Sequence, residues 1–191
     1  MTPPPDQPST DDRIIHAAFT LIAKEGLGAV TMRSIAENAG VARQTLYNHY
    51  PDVDSIVAEA LKRHNEESIR LLESALRVVD DPSGKLEQLI RHVVSIGAHA
   101  HHAPGLEQGL SPEAQATLAE YHDALDDSIR AMLEEGQRSG AFRSDLSLDL
   151  DTTLVRHMLN GLTERAGQTP DESAEIASSG IRIIRAALTQ R

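Results

Sequence analysis

Residues 31–50, TMRSIAENAGVARQTLYNHY, constrain the fold more than any other stretch of the chain. Met32, Ile35 and Ala36 recur at the spacing of a short helix with one buried side, and Thr31 stands where an N-cap belongs. Asn38, Ala39 and Gly40 end that helix with residues that tolerate a left-handed backbone. Val41 then reads as an apolar plug, and Ala42 opens a second helix that carries Leu46 and Tyr50 inward. Two short helices about a glycine turn make a helix-turn-helix. The outward side of the second is unusual, because Arg43, Gln44, Thr45, Tyr47, Asn48 and His49 all carry hydrogen-bonding side chains. Such groups reach phosphate oxygens or base edges, and the N-terminal end of a recognition helix is what meets the bases. Arg43 suits guanine and Gln44 adenine, while Tyr47, Asn48 and His49 suit phosphate, with Thr31 and Arg33 as further phosphate candidates.

The flanking segments keep the helical period. Before the motif, Ile14, Ala17, Ala18, Leu21 and Ile22 line one face of a helix that starts with Thr10 as its cap and stops at Gly26. Residues 1–9 are rich in Pro, hold no Lys or Arg, and read as a disordered arm. After Pro51, Asp52 can cap a long helix whose apolar stripe, including Leu71 and Val79, persists to Asp80. A fifth helix follows the Asp81-Pro82-Ser83-Gly84 break, then a short one within residues 97–114, and a seventh from about Pro112 to Arg138. Two more are expected over about 147–166 and 170–189. No strand pattern or repeat interrupts this series, and an aromatic share of 3% leaves Leu, Ile, Val and Ala to fill the interior. The expected fold is all-α: a three-helix helix-turn-helix domain over 10–52, then roughly six helices over 53–191.

The run GVARQTLYNHYPD, preceded by TMRSIAENA and by IIHAAFTLIAKEG, resembles the N-terminal DNA-binding domain of the TetR family of bacterial transcriptional regulators. The resemblance covers about residues 13–57 and joins three helices at the family's spacing. A weaker likeness extends over EEGQRSGAFRSDLSLDLDTTLVRHMLNGL, where the family's seventh helix ends and its eighth begins. The family usually places a Lys at the start of the fourth helix, against DNA phosphate; this chain has Val53 there. The resemblance implies a ligand-responsive regulator, more often a repressor, that acts as a homodimer on an operator.

On that reading the effector cavity lies between the fifth, seventh and eighth helices, lined by Ile96, His99, Leu118, Tyr121, His122, Leu125, His157 and Met158. A mainly hydrophobic small molecule suits such walls. By pressing on the long fourth helix it would swing the DNA domains, whose recognition helices must stand about 34–36 Å apart, or a multiple of that, to read two half-sites. The last two helices are apolar over more than one stripe. Leu154, Gly161, Ile176, Gly180, Ile183, Ile184 and Ala187 are therefore expected to pair two copies in a four-helix contact.

Composition tests the alternatives. A net charge of −11 argues against nucleic acid only on the surface, since residues 1–50 hold four basic against five acidic side chains and the excess lies beyond them. With no cysteine, disulfides, thiolate zinc sites and cysteine nucleophiles are excluded together. His99, His101 and His102 invite a metal, but no carboxylate stands between Glu87 and Glu107, so solvated histidines at a helix end are the commoner explanation. No metal or cofactor is expected. Nucleophile elbows, glycine-rich phosphate loops and His-Glu-x-x-His are missing, which argues against an enzyme. There is no membrane-length apolar run and no signal-peptide pattern, so a cytoplasmic location is expected. The competing reading is a helical interaction protein with the same fold that no longer binds DNA, favoured by Val53 and the near-neutral N-terminal charge.

Overall fold

A computed structural model describes residues 8–99 and 109–189, with the side chain of His99 outside that description. The described elements are helical. They are α1 (Thr10–Glu25), α2 (Met32–Ala39), α3 (Arg43–His49), α4 (Val53–Arg77), α5 (Pro82–His99), α6 (Pro112–Ser139), α7 (Leu148–Gln168) and α8 (Ser173–Leu188). Short 3-10 turns at Leu27–Ala29 and Pro170–Glu172 precede α2 and α8. The short helix expected within 97–114 falls largely outside the described residues, as do His101 and His102; the seventh and eighth expected helices are α6 and α7.

Local chemistry sets the boundaries. Ser9, and not Thr10, caps α1: its hydroxyl accepts the Asp12 N–H at 3.0 Å while the Asp12 carboxylate accepts the Ser9 N–H at 3.2 Å, a reciprocal pair that closes the helix start. Thr31 and Ser34 do the same for α2, and Gly40, at φ 62°, ends it in the left-handed region. Asp52 takes the Ser55 N–H at 2.8 Å at the start of α4. That helix ends at Arg77, short of the expected Asp80, and Leu71 is exposed, not part of its buried stripe. Asp81, read as a breaker, instead accepts the Gly84 N–H at 2.8 Å and starts α5.

The chain forms two compact units. Among the described residues, the first comprises 8–65 with 109–118 and the second 66–99 with 119–189, so the division falls inside α4 and not at residue 52. The core of the first unit combines Ile14, Ala18 and Leu21 of α1, Ile35 of α2, Leu46 of α3 and Ile56 and Leu61 of α4. Leu110 and Ala114 join it, with Leu118 and Val53 packed at its edge. The second unit buries Leu72, Leu86, Leu89, Ile90, Leu125, Ile129, Leu133, Phe142, Val155, Leu159, Ile181 and Ile184 together. In it, α5 and α7 approach closely at Gly97, where a Cβ would stand 2.2 Å from the Thr163 carbonyl oxygen.

Candidate DNA interface and effector site

Helix α3 is seven residues long and its N-cap, Ala42, offers no side-chain hydrogen bond. A helix this short has little stability of its own, so its placement depends on what it touches. Leu46 is fully buried and anchors it. Around that anchor Arg43, Gln44, Tyr47, Asn48 and His49 are exposed, with Thr45 half-buried, so six expected contact residues share one short helix as the sequence suggested. Gln44 donates from Nε2 to Asn48 Oδ1 at 3.1 Å, a pairing along the exposed face.

The two candidates on α2 are already engaged. Thr31 uses its hydroxyl as the α2 cap, and Arg33 Nε donates to Glu37 Oε1 at 2.8 Å on an exposed face, so a phosphate would share Arg33 with a carboxylate. Val53 is half-buried against the first core, which explains an apolar residue at that position.

A polar cluster absent from the sequence reading lies behind α3. The Tyr50 hydroxyl donates to Asp11 Oδ1 at 2.8 Å, and Arg63 Nη2 meets Asp11 Oδ2 at 2.5 Å. Arg63 also reaches Asp12 at 3.2 Å and Glu59 at 2.6 Å, and His49 Nδ1 stands 3.7 Å from Asp11 Oδ1. Burial pushes the Asp11 carboxyl up, but the hydrogen bonds from Arg63 and Tyr50 together with the Arg63 charge outweigh it and hold the group below its ordinary value. The signal was weak because Asp11, Tyr50 and Arg63 are far apart in the sequence.

The second unit holds a polar cluster that joins three of its helices. Ser68 of α4 is buried, and its hydroxyl lies 3.2 Å from His92 Nε2 on α5 and 3.4 Å from the Tyr121 hydroxyl on α6. Burial lowers the His92 pKa against the opposing pull of Ser68 and raises that of Tyr121, so both groups are neutral near pH 7. Of the expected effector lining, Tyr121 belongs to this cluster, Leu125 to the surrounding core, and Ile96 and His122 are half-buried in the same unit. Three residues are elsewhere. Leu118 packs against the first core, and Met158 and His157 are exposed on α7, with His157 Nδ1 2.7 Å from the Thr153 carbonyl oxygen. His99 has its side chain outside the described set. Ser68 was missed because a lone serine in an apolar stripe reads as an interruption. Among the described residues no group of His, Asp and Glu is arranged to hold a metal.

The expected pairing surface divides likewise. Leu154, Gly161, Ile183 and Ala187 are exposed, joined by Leu150 and Met158. Ile176, Gly180 and Ile184 instead face their own chain: both isoleucines are buried in the second core, and a Cβ on Gly180 would stand 2.5 Å from Leu162 Cδ1.

Comparison with known proteins fits this layout. Residues 14–60 match the model of bacterial regulatory proteins of the tetR family, and residues 79–164 match a tetracyclin repressor-like C-terminal domain. The chain belongs to the TetR family. It is accordingly a DNA-binding transcriptional regulator and not an enzyme. It is 27% identical over 166 residues to the transcriptional repressor KstR2 of Rhodococcus jostii, covering 82% of this chain and 81% of that one. Its fold is similar to that of the fatty acid degradation regulator FadR of Bacillus halodurans, with a TM-score of 0.82 at 19% identity over 97% of this chain and all of the other. The FadR of Bacillus subtilis, solved in complex with stearoyl-CoA, gives 0.78 at 20% identity, covering 92% and 98% of the two chains. No described helix of this TetR-family chain is long and apolar enough to cross a membrane.

Proposed function

We propose that this TetR-family protein is a repressor that reads its operator with Arg43 and Gln44, holds phosphate with Tyr47, Asn48 and His49, and is released by a mainly apolar, uncharged small molecule. The observation that carries the DNA assignment is the exposed polar face of α3 around the buried Leu46. Repression is favoured by the likeness to a relative named as a repressor. The effector class follows from the second unit, which combines a largely apolar core with three neutral hydrogen-bonding groups, Ser68, His92 and Tyr121. A molecule with one or two hydrogen-bonding oxygens on an apolar body satisfies those groups, whereas a buried charge would find no opposite charge in them. Ser68 lies on α4, the helix that also supplies Arg63 to the cluster behind α3, so an effector bonded to Ser68 acts on an element shared by both functions. Two copies are proposed to pair through Leu150, Leu154, Met158 and Gly161 of α7 with Ile183 and Ala187 of α8.

The test begins with an operator selected by the wild-type protein from randomised DNA. Arg43→Ala or Gln44→Ala should then weaken binding by about 1–3 kcal/mol and relax preference at one base position each. Tyr47→Phe or His49→Ala should weaken binding to all sequences alike. Failure to select any sequence, or unchanged affinity in all four variants, removes the assignment and leaves the interaction-protein reading.

A further inference from the structure

Arg63, Asp11 and Tyr50 join three helices of the first unit through one carboxylate, and none of the three lies on the exposed face of α3. We propose that Asp11 is a positioning residue for the recognition helix: by accepting the Tyr50 hydroxyl on one oxygen and Arg63 of α4 on the other, it fixes where α3 presents its reading face. The proposal rests on the DNA reading of α3 given above.

The geometry leaves α3 few other restraints. Its N-terminal end has no side-chain cap, Leu46 is its one buried residue, and Tyr50 is its C-cap. Leu46 holds the helix against the core and the Tyr50 ring packs at its edge, but such apolar contacts are non-directional and set the helix's angle only loosely. A second tether at Tyr50, four residues on, supplies the missing restraint. It is directional, because a phenol donating to an ionised carboxylate makes a charge-assisted hydrogen bond with a narrow angular optimum. The carboxylate is itself held in place. Asp11 lies in the first turn of α1, where a negative charge is favoured by the helix dipole, and Arg63 grips its other oxygen while reaching Asp12 and Glu59. His49, 3.7 Å away, is the remaining group facing Asp11, so the cluster touches a proposed phosphate contact as well as the helix end.

Two variants separate positioning from plain stability. Tyr50→Phe deletes the hydroxyl and keeps the ring, and Asp11→Asn keeps the shape and removes the charge. Both should reduce operator affinity by about three- to thirtyfold, the range expected for one charge-assisted hydrogen bond that orients a reading element. They should also lower the ratio of operator to non-specific affinity by a similar factor, with the active fraction in stoichiometric titration unchanged. A purely structural cluster would lower the active fraction or the melting temperature and leave that ratio alone, which overturns the proposal. Amide hydrogen exchange without DNA gives a second reading that does not need an operator. Faster exchange at the α3 amides of Leu46–Tyr50, with α1 and α2 still protected, supports the tether; unchanged α3 exchange overturns it. If the wild type selects no operator but the exchange result holds, the DNA reading fails and the tether stands.

Discussion

At Ser68, His92 and Tyr121 a single hydroxyl serves two ring systems in a unit whose core is mostly aliphatic. Burial disfavours a charged His92, since an imidazolium there would lose much of its hydration, and this outweighs the opposing pull of the Ser68 hydrogen bond. Burial holds the His92 pKa below its ordinary 6.5, so the unfolded chain takes up the proton first. The stability that His92 contributes is therefore present above about pH 6.5 and is lost as the pH falls from there through the lower folded value. Urea denaturation of the wild type should show a fall in midpoint between pH 7.5 and pH 5.5 that is smaller in His92→Gln. Equal falls in the two proteins would show that the ring is not selectively neutral in the fold. Arg43 and His92 illustrate opposite limits of what one sequence discloses. The exposed placement of Arg43 was legible because its neighbours on one turn of helix share its chemistry; the clusters at His92 and Asp11 were not, because their partners are 24 to 53 positions apart.

Among the elements, helix ends and close crossings carry most of the specificity. The α6–α7 connection shows why two glycines stand in GQRSGAF: Gly140, at φ 74°, turns the chain back, and Phe142 lands on Gly136, donating its N–H to the Gly136 carbonyl at 3.0 Å. The crossing of α5 with α7 is less yielding, because the atom nearest a Cβ at Gly97 belongs to backbone. Gly97→Ala should destabilise the fold by about 1–3 kcal/mol or more, since a main-chain carbonyl cannot move aside as a side-chain end can. Gly28→Ala, with open space and no positive φ, is the matched control and should change little. Comparable denaturation midpoints for the two variants would contradict the crossing. Helices α1 to α3, α6 and the capped start of α4 were readable from period and punctuation. The end of α4 was not: beyond Leu72 the apolar pattern continues through Val78 and Val79, but Val78 is exposed and the helix has already stopped at Arg77.

Among the described residues, Leu150, Leu154 and Met158 on α7 and Ile183 on α8 leave apolar surface uncovered, exposed by 59%, 51%, 38% and 49%. Apolar surface of that kind is a pairing surface more often than a solvated one. Leu154→Arg or Ile183→Arg should give folded monomers in sedimentation velocity, while Gly180→Arg should fail to fold, because its side chain would have to enter the space filled by Leu162. A wild type that sediments as a monomer at micromolar concentration, or a well-folded Gly180→Arg, would refute this division of the two helices. Periodicity predicted an apolar surplus on both helices but could not say which stripe each would turn inward; that choice is made by α5, whose Ile90 packs beside Gly180. The other whole-chain consequence lies in Leu110 and Ala114, which return from far along the sequence to complete the first core. A reading head whose interior is finished by a distant segment is not a cassette. Grafting residues 1–65 onto a foreign regulatory half would leave an apolar hollow where Leu110 and Ala114 belong, so this head can be exchanged between relatives only when Leu110 and the first turns of α6 travel with it.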